Sequence, residues 1–255
     1  MLREQLLNAL NSILSPQSQR DYCPNGLQVE GKENIAHIVT GVTASQALID
    51  KAVELSADAL LVHHGYFWKN EDYPIVGIKK RRIATLLKHD INLIAYHLPL
   101  DVHETLGNNA QLGALLGLES ITAVDNIAPT GIVMRGELAT PLSHDELSER
   151  LFERLGRTVI SVGSKQSIKS LAWCTGGGQG YIDQVAASRA SSLPIDAFIS
   201  GEISEQTTHS ARELDLDFFA AGHHATERYG VKALGEYLAK HYNLQVTFVD
   251  VDNPA

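Results

Sequence analysis

The apolar residues of the first 120 positions alternate between short continuous runs and segments with helical spacing. The runs predict strands at residues 35–40, 59–62 and 91–97, and the spaced segments predict helices at 44–55 and 108–116. A basic helix is predicted between the second and third strands, since Ile83, Leu86 and Leu87 follow the run Lys79–Arg82 at helical spacing. Strands that alternate with helices at this spacing predict a mostly parallel sheet covered by helices.

The middle of the chain has a different pattern. Residues 132–138 alternate like an exposed strand, and Ser143 with Glu146 forms a capping box that opens a helix. These features predict a small α+β insertion.

From residue 171 the first pattern recurs. HIVTGVTASQALIDKAVELSADALLVHHG (37–65) and SLAWCTGGGQGYIDQVAASRASSLPIDAFISGE (170–202) share a strand, a turn of small residues, a helix with an Ile-Asp pair, and a second apolar strand. Further elements are predicted at 181–190 (helix), 196–200 (strand), 205–214 (helix) and 218–221 (strand). We therefore predict an α/β fold with duplicated, pseudo-symmetric parallel-sheet lobes at residues 1–125 and 169–255 that pack as one compact unit, with the insertion at 126–168.

Composition narrows the class of protein. The chain has 255 residues, 44% of them hydrophobic, and a formal net charge of −9, which argues against wholesale binding of nucleic acid or an anionic membrane. Only Cys23 and Cys174 are present, so a disulfide scaffold is not expected. Residues 1–14 have the spacing of an amphipathic helix rather than a signal peptide, and no segment reaches transmembrane length. These features predict a cytoplasmic protein without a membrane partner.

Histidines and carboxylates follow the apolar strands. The run LLVHHG ends in His63 and His64, AYHLPLD contains His97 and Asp101, and FFAAGHHATE contains His223, His224 and Glu227. In open parallel sheets, ligands collect at the carboxyl ends of the strands, where these groups are expected. One histidine at a strand end is usually a hydrogen-bonded rim residue, but two such pairs with nearby carboxylates favour a metal site.

The spacing constrains how these side chains could share an ion. His63 and His64 are neighbours in a strand and should point to opposite faces, so they would serve two ions more easily than one. His223 and Glu227 are four apart, so a helix that begins near Ala225 could bring them together. Mixed imidazole and carboxylate ligands suit Zn²⁺, Mn²⁺, Fe²⁺, Co²⁺ or Ni²⁺ better than Ca²⁺.

The sequence also resembles a known family over essentially its whole length. The motifs PNGLQVEG, TGVTAS, LLVHHGYFW, HLPLD, GNNAQL, TGGGQ, SGEISEQ and AGHHATER are similar to those of the NGG-one-interacting factor three-like proteins, whose bacterial members are often labelled GTP cyclohydrolase 1 type 2 homologues. The resemblance implies a toroidal homohexamer and a dinuclear centre of two divalent ions per chain, with Glu227 as the bridge. The implied metal ligands are His63, His64, Asp101, His223 and Glu227.

Other residues admit two interpretations. The amides of Gly176, Gly177 and Gly178 could contact a phosphate at a helix N-terminus, or these glycines could simply permit a tight turn. His97 and His224 could orient ligands or carry protons, with His97 the first candidate for a catalytic role.

The remaining candidates favour structural roles. Glu202 and Glu205 could orient ligands or carry protons, but they are expected to be helix-capping or surface charges. The aromatic residues 66–68 are expected in a core or interface rather than stacked on a base. Cys174 is expected to be a small buried residue rather than a nucleophile.

Two functions remain open at this point. The first is a metal-dependent hydrolase of a small phosphorylated or heterocyclic, nucleotide-like substrate. GTP ring opening would be a narrower form of this activity, but we recognise no motif for binding guanine or a triphosphate. The second is a protein that stores or delivers metal, or scaffolds a partner, without turnover.

Overall fold

The computed structural model describes residues 1–188 and 195–255. Within this range the chain forms two compact units. Unit 1 comprises residues 1–100 and 230–252, and unit 2 comprises residues 101–229 and 253–255. The sequence-based division at residues 125 and 168 stays a prediction.

Helices and strands alternate along most of the chain. The helices are α1 (Arg3–Leu14), α2 (Gln46–Glu54), α3 (Gly77–Lys88), α4 (Leu98–Asp101), α5 (Asn108–Leu116), α6 (His144–Leu155), α7 (Ile182–Ser188), α8 (Glu205–Glu213) and α9 (His223–Tyr242). The strands are β1 (Gly26–Val29), β2 (His37–Thr43), β3 (Ala59–His64), β4 (Asn92–Ala95), β5 (Leu118–Ala123), β6 (Met134–Leu142), β7 (Ile160–Val162), β8 (Ile168–Cys174), β9 (Ala197–Ser200), β10 (Asp217–Ala220) and β11 (Gln245–Phe248).

Unit 1 is built on a five-stranded sheet in the order β1-β4-β3-β2-β11. Strands β4, β3, β2 and β11 are parallel, and β1 is antiparallel to β4. The parallel strands are apolar on both faces because helices cover them, and the core includes fully buried Leu48, Leu60 and Leu93. Each such side chain contributes about 1.5–3 kcal/mol by leaving water.

Unit 2 contains a six-stranded sheet in the order β5-β6-β8-β9-β10-β7. Its central strands β8, β9 and β10 are parallel, and the flanking strands pair antiparallel. The core surrounds Trp173, whose indole N–H donates to the carbonyl of Asn109 at 2.9 Å. This bond satisfies the one polar group of a fully buried ring.

The duplicated pattern is confirmed as a duplicated α/β fold, in which β2-β3-β4 corresponds to β8-β9-β10. An aspartate precedes the middle strand in both copies and accepts two backbone N–H groups at the start of the first strand. Asp58 accepts from Ala36 and His37 at 2.8 and 3.0 Å. Asp196 accepts from residues 169 and 170, both at 2.9 Å. In both copies, the aspartate thus accepts hydrogen bonds from two backbone N–H groups that would otherwise lack a partner in the sheet.

The capping box predicted at Ser143 and Glu146 is present. The Ser143 hydroxyl lies 3.3 Å from the Glu146 N–H, and the Glu146 carboxylate accepts the Ser143 N–H at 2.7 Å. This reciprocal capping box opens α6, and Leu147, Leu151 and Leu155 bury one face of the helix.

Some local expectations were wrong. Residues 26–29 form β1, where no strand was predicted. The predicted helix at 181–190 is described only up to Ser188, and its last two residues lie outside the described residues. The last helix begins at His223 rather than near Ala225 and runs for 20 residues.

Across the described parts of the chain, we find no helix with the length and apolar content that a bilayer crossing requires.

Candidate metal centre

His63 and His64 end strand β3 in unit 1. His63 is completely buried, and its Nδ1 lies 3.0 Å from the carbonyl oxygen of Tyr96. Because a carbonyl only accepts, Nδ1 carries the proton and the lone pair is on Nε2. Nδ1 of His64 lies 3.2 Å from the hydroxyl of Thr43 on the neighbouring strand. Both imidazoles are therefore held through Nδ1, which is the arrangement that metal-binding histidines adopt.

The two rings lie closer together than strand alternation predicts. Their centroids are 4.5 Å apart and their planes are inclined by 42°. His64 is the last residue of β3, so its side chain is not constrained by a continuing strand. The expectation that the two imidazoles point to opposite faces was wrong, and His63 and His64 can present nitrogens to one region.

His97 joins these two histidines from the end of β4. Its ring centroid lies 5.0 Å from that of His63 and 5.7 Å from that of His64. One ring nitrogen from each of the three residues lies within 4.8 Å of the other two. Unit 1 alone thus gathers three imidazoles into a group that could hold a metal ion.

Asp21 fixes the ring of His97. Its Oδ1 lies 2.7 Å from His97 Nδ1, and its Oδ2 accepts the Leu98 N–H and an amide hydrogen of Asn25, both at 2.9 Å. Burial would raise the pKa of Asp21, but the hydrogen bond and charge of His97, with donors from Asn25 and Tyr22, lower it to about 2. Asp21 is therefore an ionised acceptor at neutral pH.

The low pKa of Asp21 predicts a pH-dependent contribution to stability. The folded-state pKa lies below the ordinary value of 3.8, so the stabilisation is present above pH 4 and is lost as the pH falls towards 2. We expect the free energy of unfolding of the wild type to fall by about 2 kcal/mol more than that of Asp21→Asn between about pH 5 and about pH 2. Urea unfolding at several pH values measures this difference, and parallel curves would contradict it.

In unit 2, the first turns of α9 bring His223 and Glu227 together. His223 Nε2 lies 3.1 Å from Glu227 Oε2, and His223 Nδ1 lies 2.7 Å from Glu202 Oε1. Burial would lower the pKa of His223, but the two carboxylates raise it to about 9. A position between two carboxylates that stabilises a proton so strongly also favours a metal cation.

Asp101 completes the set of carboxylates in unit 2. Its Oδ1 accepts a hydrogen bond from Asn108 at 2.8 Å, and the Thr175 hydroxyl lies 3.5 Å away. A carboxylate oxygen of Asp101 lies within 4.8 Å of one of Glu227. Two largely buried carboxylates this close repel each other unless a cation or a proton lies near them, so this pair could hold a metal ion.

The glycine turn packs directly against these ligands. Gly176 has a φ of +63°, and a Cβ there would lie 2.0 Å from Glu227 Oε1 and 3.2 Å from His223 Nε2. Its N–H donates to the Thr226 hydroxyl at 3.0 Å. A Cβ on Gly178 would lie 2.4 Å from the sulfur of Cys174. The close approach of neighbouring side chains therefore explains why residues 176 and 178 are glycines. Because the Gly176 N–H already donates to Thr226, the predicted phosphate contact now depends on the amides of Gly177 and Gly178.

The structure gives no metal-binding role to the three other candidates, Cys174, Glu205 and His224. The Cys174 thiol is buried beside Asp101 and Glu227, and burial together with both charges raises its pKa well above the usual value, so it stays protonated. Glu205 is exposed on α8 near His209. Among residues 1–188 and 195–255, His224 is buried but belongs to none of the groups that could hold a metal.

Two carboxylates hold histidines at these sites, although the sequence did not favour that role for either. Glu202 lies at the surface, as expected, with its side chain 46% exposed, but it also contacts His223, and Gln179 donates to it at 3.2 Å. Asp21 was not among the candidate residues. A carboxylate two residues after the end of strand β9 was a signal for Glu202, whereas Asp21 has no local pattern that relates it to His97, 76 residues away.

The sequence model for Duf34/NIF3 (NGG1p interacting factor 3) matches residues 1–254. The chain belongs to this family. Its match covers both units and every candidate residue described above.

Relatives in the family are similar over the same length. A protein of Vibrio cholerae is 57% identical, with 98% of each chain covered, and one of Yersinia pestis is 54% identical, with 100% of each covered. Both are named GTP cyclohydrolase 1 type 2 homolog. A solved structure described as protein ybgI, of unknown function, is 52% identical with a TM-score of 0.94, and covers 100% of both chains. These names identify relatives and leave the reaction open.

Proposed function

We propose that the protein binds two divalent metal ions per chain and uses them to hydrolyse a small phosphorylated or heterocyclic, nucleotide-like substrate. The proposed ligands are His63, His64, Asp101, His223 and Glu227, with Glu227 as the bridge. The convergence of the imidazoles in unit 1 carries the proposal, because His63 presents its lone pair on Nε2 and His64 and His97 are each held through Nδ1.

The donor chemistry fits borderline divalent cations. The set contains imidazole nitrogens and carboxylate oxygens, and the nearby Cys174 thiol is kept protonated. This composition favours Zn²⁺, Mn²⁺, Fe²⁺, Co²⁺ or Ni²⁺ over Ca²⁺, and it is typical of hydrolytic rather than closed structural sites.

Each element of the proposed reaction uses a described group. Bound divalent ions would supply Lewis acidity and lower the pKa of water. His97, held by Asp21, is proposed to accept or donate the proton at Nε2. The amides of Gly177 and Gly178 are proposed to contact a phosphate group of the substrate. Ring opening of GTP is the narrower reaction that the relatives' names suggest.

Metal content tests the first part of the proposal. Elemental analysis of protein purified without chelator, combined with anomalous scattering from crystals, should find two ions per chain a few ångströms apart. One ion or none in both the purified and the metal-soaked protein would contradict a dinuclear centre.

Turnover tests the second part. Metal-loaded protein should hydrolyse a member of a panel of nucleotides, phosphoesters and cyclic amides, chelation should abolish the rate, and Mn²⁺ or Zn²⁺ should restore it. His64→Ala and Glu227→Ala should also abolish it, and activity that survives in either variant comes from another site. If fully metallated protein turns over no compound, metal storage or delivery becomes the better interpretation.

Glu202 should control the metal affinity of His223. The Glu202 carboxylate accepts a hydrogen bond from His223 Nδ1 at 2.7 Å. This contact orients the ring and makes the lone pair of Nε2 a better metal ligand. We expect Glu202→Gln to weaken zinc binding about 10-fold or more, as loss of such partners typically does. Competition with a chromophoric chelator measures the affinity. Glu205→Gln is the matched control because Glu205 is exposed on the adjacent helix, and an equal loss in both variants would refute the specific role.

We also propose that the protein is a cytoplasmic homohexamer. This assembly follows from the family resemblance rather than from the chain's own geometry. Light scattering at micromolar concentration should give six times the monomer mass, and a stable monomer would refute it.

A further inference from the structure

A carboxylate from the N-terminal segment holds His97 in place. Asp21 lies between α1 and β1, and its side chain is 4% exposed against 14% for His97. Its two oxygens accept four donors: His97 Nδ1 and the Tyr22 N–H on Oδ1, and the Leu98 N–H and Asn25 amide on Oδ2. The three donors other than His97 therefore hold the carboxylate in a fixed orientation towards the imidazole.

The backbone around His97 is fixed by the same segment. The His97 N–H donates to Asn25 Oδ1 at 2.8 Å, so Asp21 and Asn25 bind both the side chain and the main chain of this residue. Because an ionised carboxylate can only accept, the proton of a neutral His97 must be on Nδ1. Its lone pair is then on Nε2.

The other histidines around His97 show why the choice of nitrogen matters. His63 and His64 have ring centroids within 5.7 Å of that of His97, and Trp68 packs against it edge-on at 5.0 Å. Rotation or tautomer exchange of His97 would change which nitrogen faces this group. The Asp21 contact therefore selects one of the two chemically distinct states.

The second half of the chain contains the same arrangement. His97 precedes Asp101 by four residues after the third parallel strand of unit 1, and His223 precedes Glu227 by four after the third parallel strand of unit 2. Each histidine meets a carboxylate at Nδ1 at 2.7 Å, supplied by Asp21 in one case and by Glu202 in the other. Asp21 and Glu202 come from non-equivalent segments, so the duplication did not simply copy the contact.

We propose that Asp21 is a positioning residue that holds His97 with its proton on Nδ1 and its lone pair on Nε2. This inference concerns how His97 acts in the proposed function, and its catalytic consequence rests on that function. The tautomer itself is a property of unit 1 and can be measured without a substrate.

Nitrogen chemical shifts of the imidazoles test the proposal. Full-length protein labelled with ¹⁵N-histidine and loaded with zinc, a diamagnetic ion, is examined by long-range ¹H–¹⁵N correlation at neutral pH. Wild-type His97 should show one protonated Nδ1 and one unprotonated Nε2. Asp21→Asn replaces one acceptor oxygen by a donor and Asp21→Ala removes both, so both variants should show a mixture of tautomers.

The controls separate this result from general damage. His37 is held by the Leu55 carbonyl at Nδ1 and by Thr247 at Nε2, so its signals should not change and will report correct folding. Asp50→Asn makes the same chemical change on the exposed face of α2 and should leave His97 as in the wild type.

Each outcome decides the proposal. A wild-type His97 protonated on Nε2 alone would overturn it without any variant, as would an unchanged His97 pattern in both folded Asp21 variants. Failure of the protein to bind zinc or any other of the proposed divalent ions would refute the proposed function, whereas the His97 tautomer would still be read from the same spectra.

Discussion

Replacing Glu227 by alanine should remove at least one of the two proposed metal ions from each chain and leave the fold intact. Glu227 is 3% exposed, and its carboxylate lies 3.1 Å from His223 Nε2 and within 4.8 Å of Asp101. It is the proposed bridge between the two ions, so its loss should affect both. Elemental analysis and zinc titration measure the change, and we expect an affinity loss of at least about 10–100-fold.

The same substitution on the same helix provides the control. Glu236 is exposed on α9, and Glu236→Ala should keep the wild-type metal content. Thermal unfolding of the metal-free proteins checks that Glu227→Ala is folded. Two ions bound with wild-type affinity in Glu227→Ala would refute the ligand assignment.

A single methyl group on Gly176 should disrupt metal binding almost as strongly. The residue has a φ of +63°, where a side chain costs roughly 1–2 kcal/mol. The new Cβ would also lie 2.0 Å from Glu227 Oε1, so the carboxylate would have to move. We therefore expect Gly176→Ala to be less stable than the wild type and to lose zinc affinity by about 10-fold or more, because losing the contacts that orient metal ligands typically costs about 10–100-fold.

Gly180→Ala is the matched control in the same turn. A Cβ at Gly180 meets nothing within 4 Å, so this variant should bind zinc normally. Chelator competition and thermal unfolding on both variants give the comparison. Wild-type zinc affinity in Gly176→Ala would show that zinc binding does not depend on the observed position of the Glu227 carboxylate.

The sequence by itself determined the parts of this protein that depend on local pattern. Apolar runs and helical spacing predicted the parallel strands β2, β3, β4, β8, β9 and β10 and most of the helices, because burial on a sheet or a helix face selects residues at fixed periods. The histidines and carboxylates at the strand ends were recognisable for the same reason, since they interrupt those periods.

Tertiary structure decided what the local pattern leaves open. Strand β11 returns to the first sheet beside β2, although more than 190 residues separate them, and no periodicity specifies such a partner. His63 and His64 present neighbouring rings because β3 ends there, so the strict alternation of a strand no longer applies.

The contacts that orient the candidate ligands belong to the tertiary level as well. Asp21 reaches His97 across 76 residues, and Glu202 reaches His223 across 21. The need for glycine at position 176 arises from the Glu227 carboxylate, which comes from another element. Sequence periodicity reports which face of an element is buried, whereas a hydrogen bond between distant side chains exists only after packing has fixed both backbones. The chemistry of the donors was therefore encoded locally, and their orientation was set by the fold.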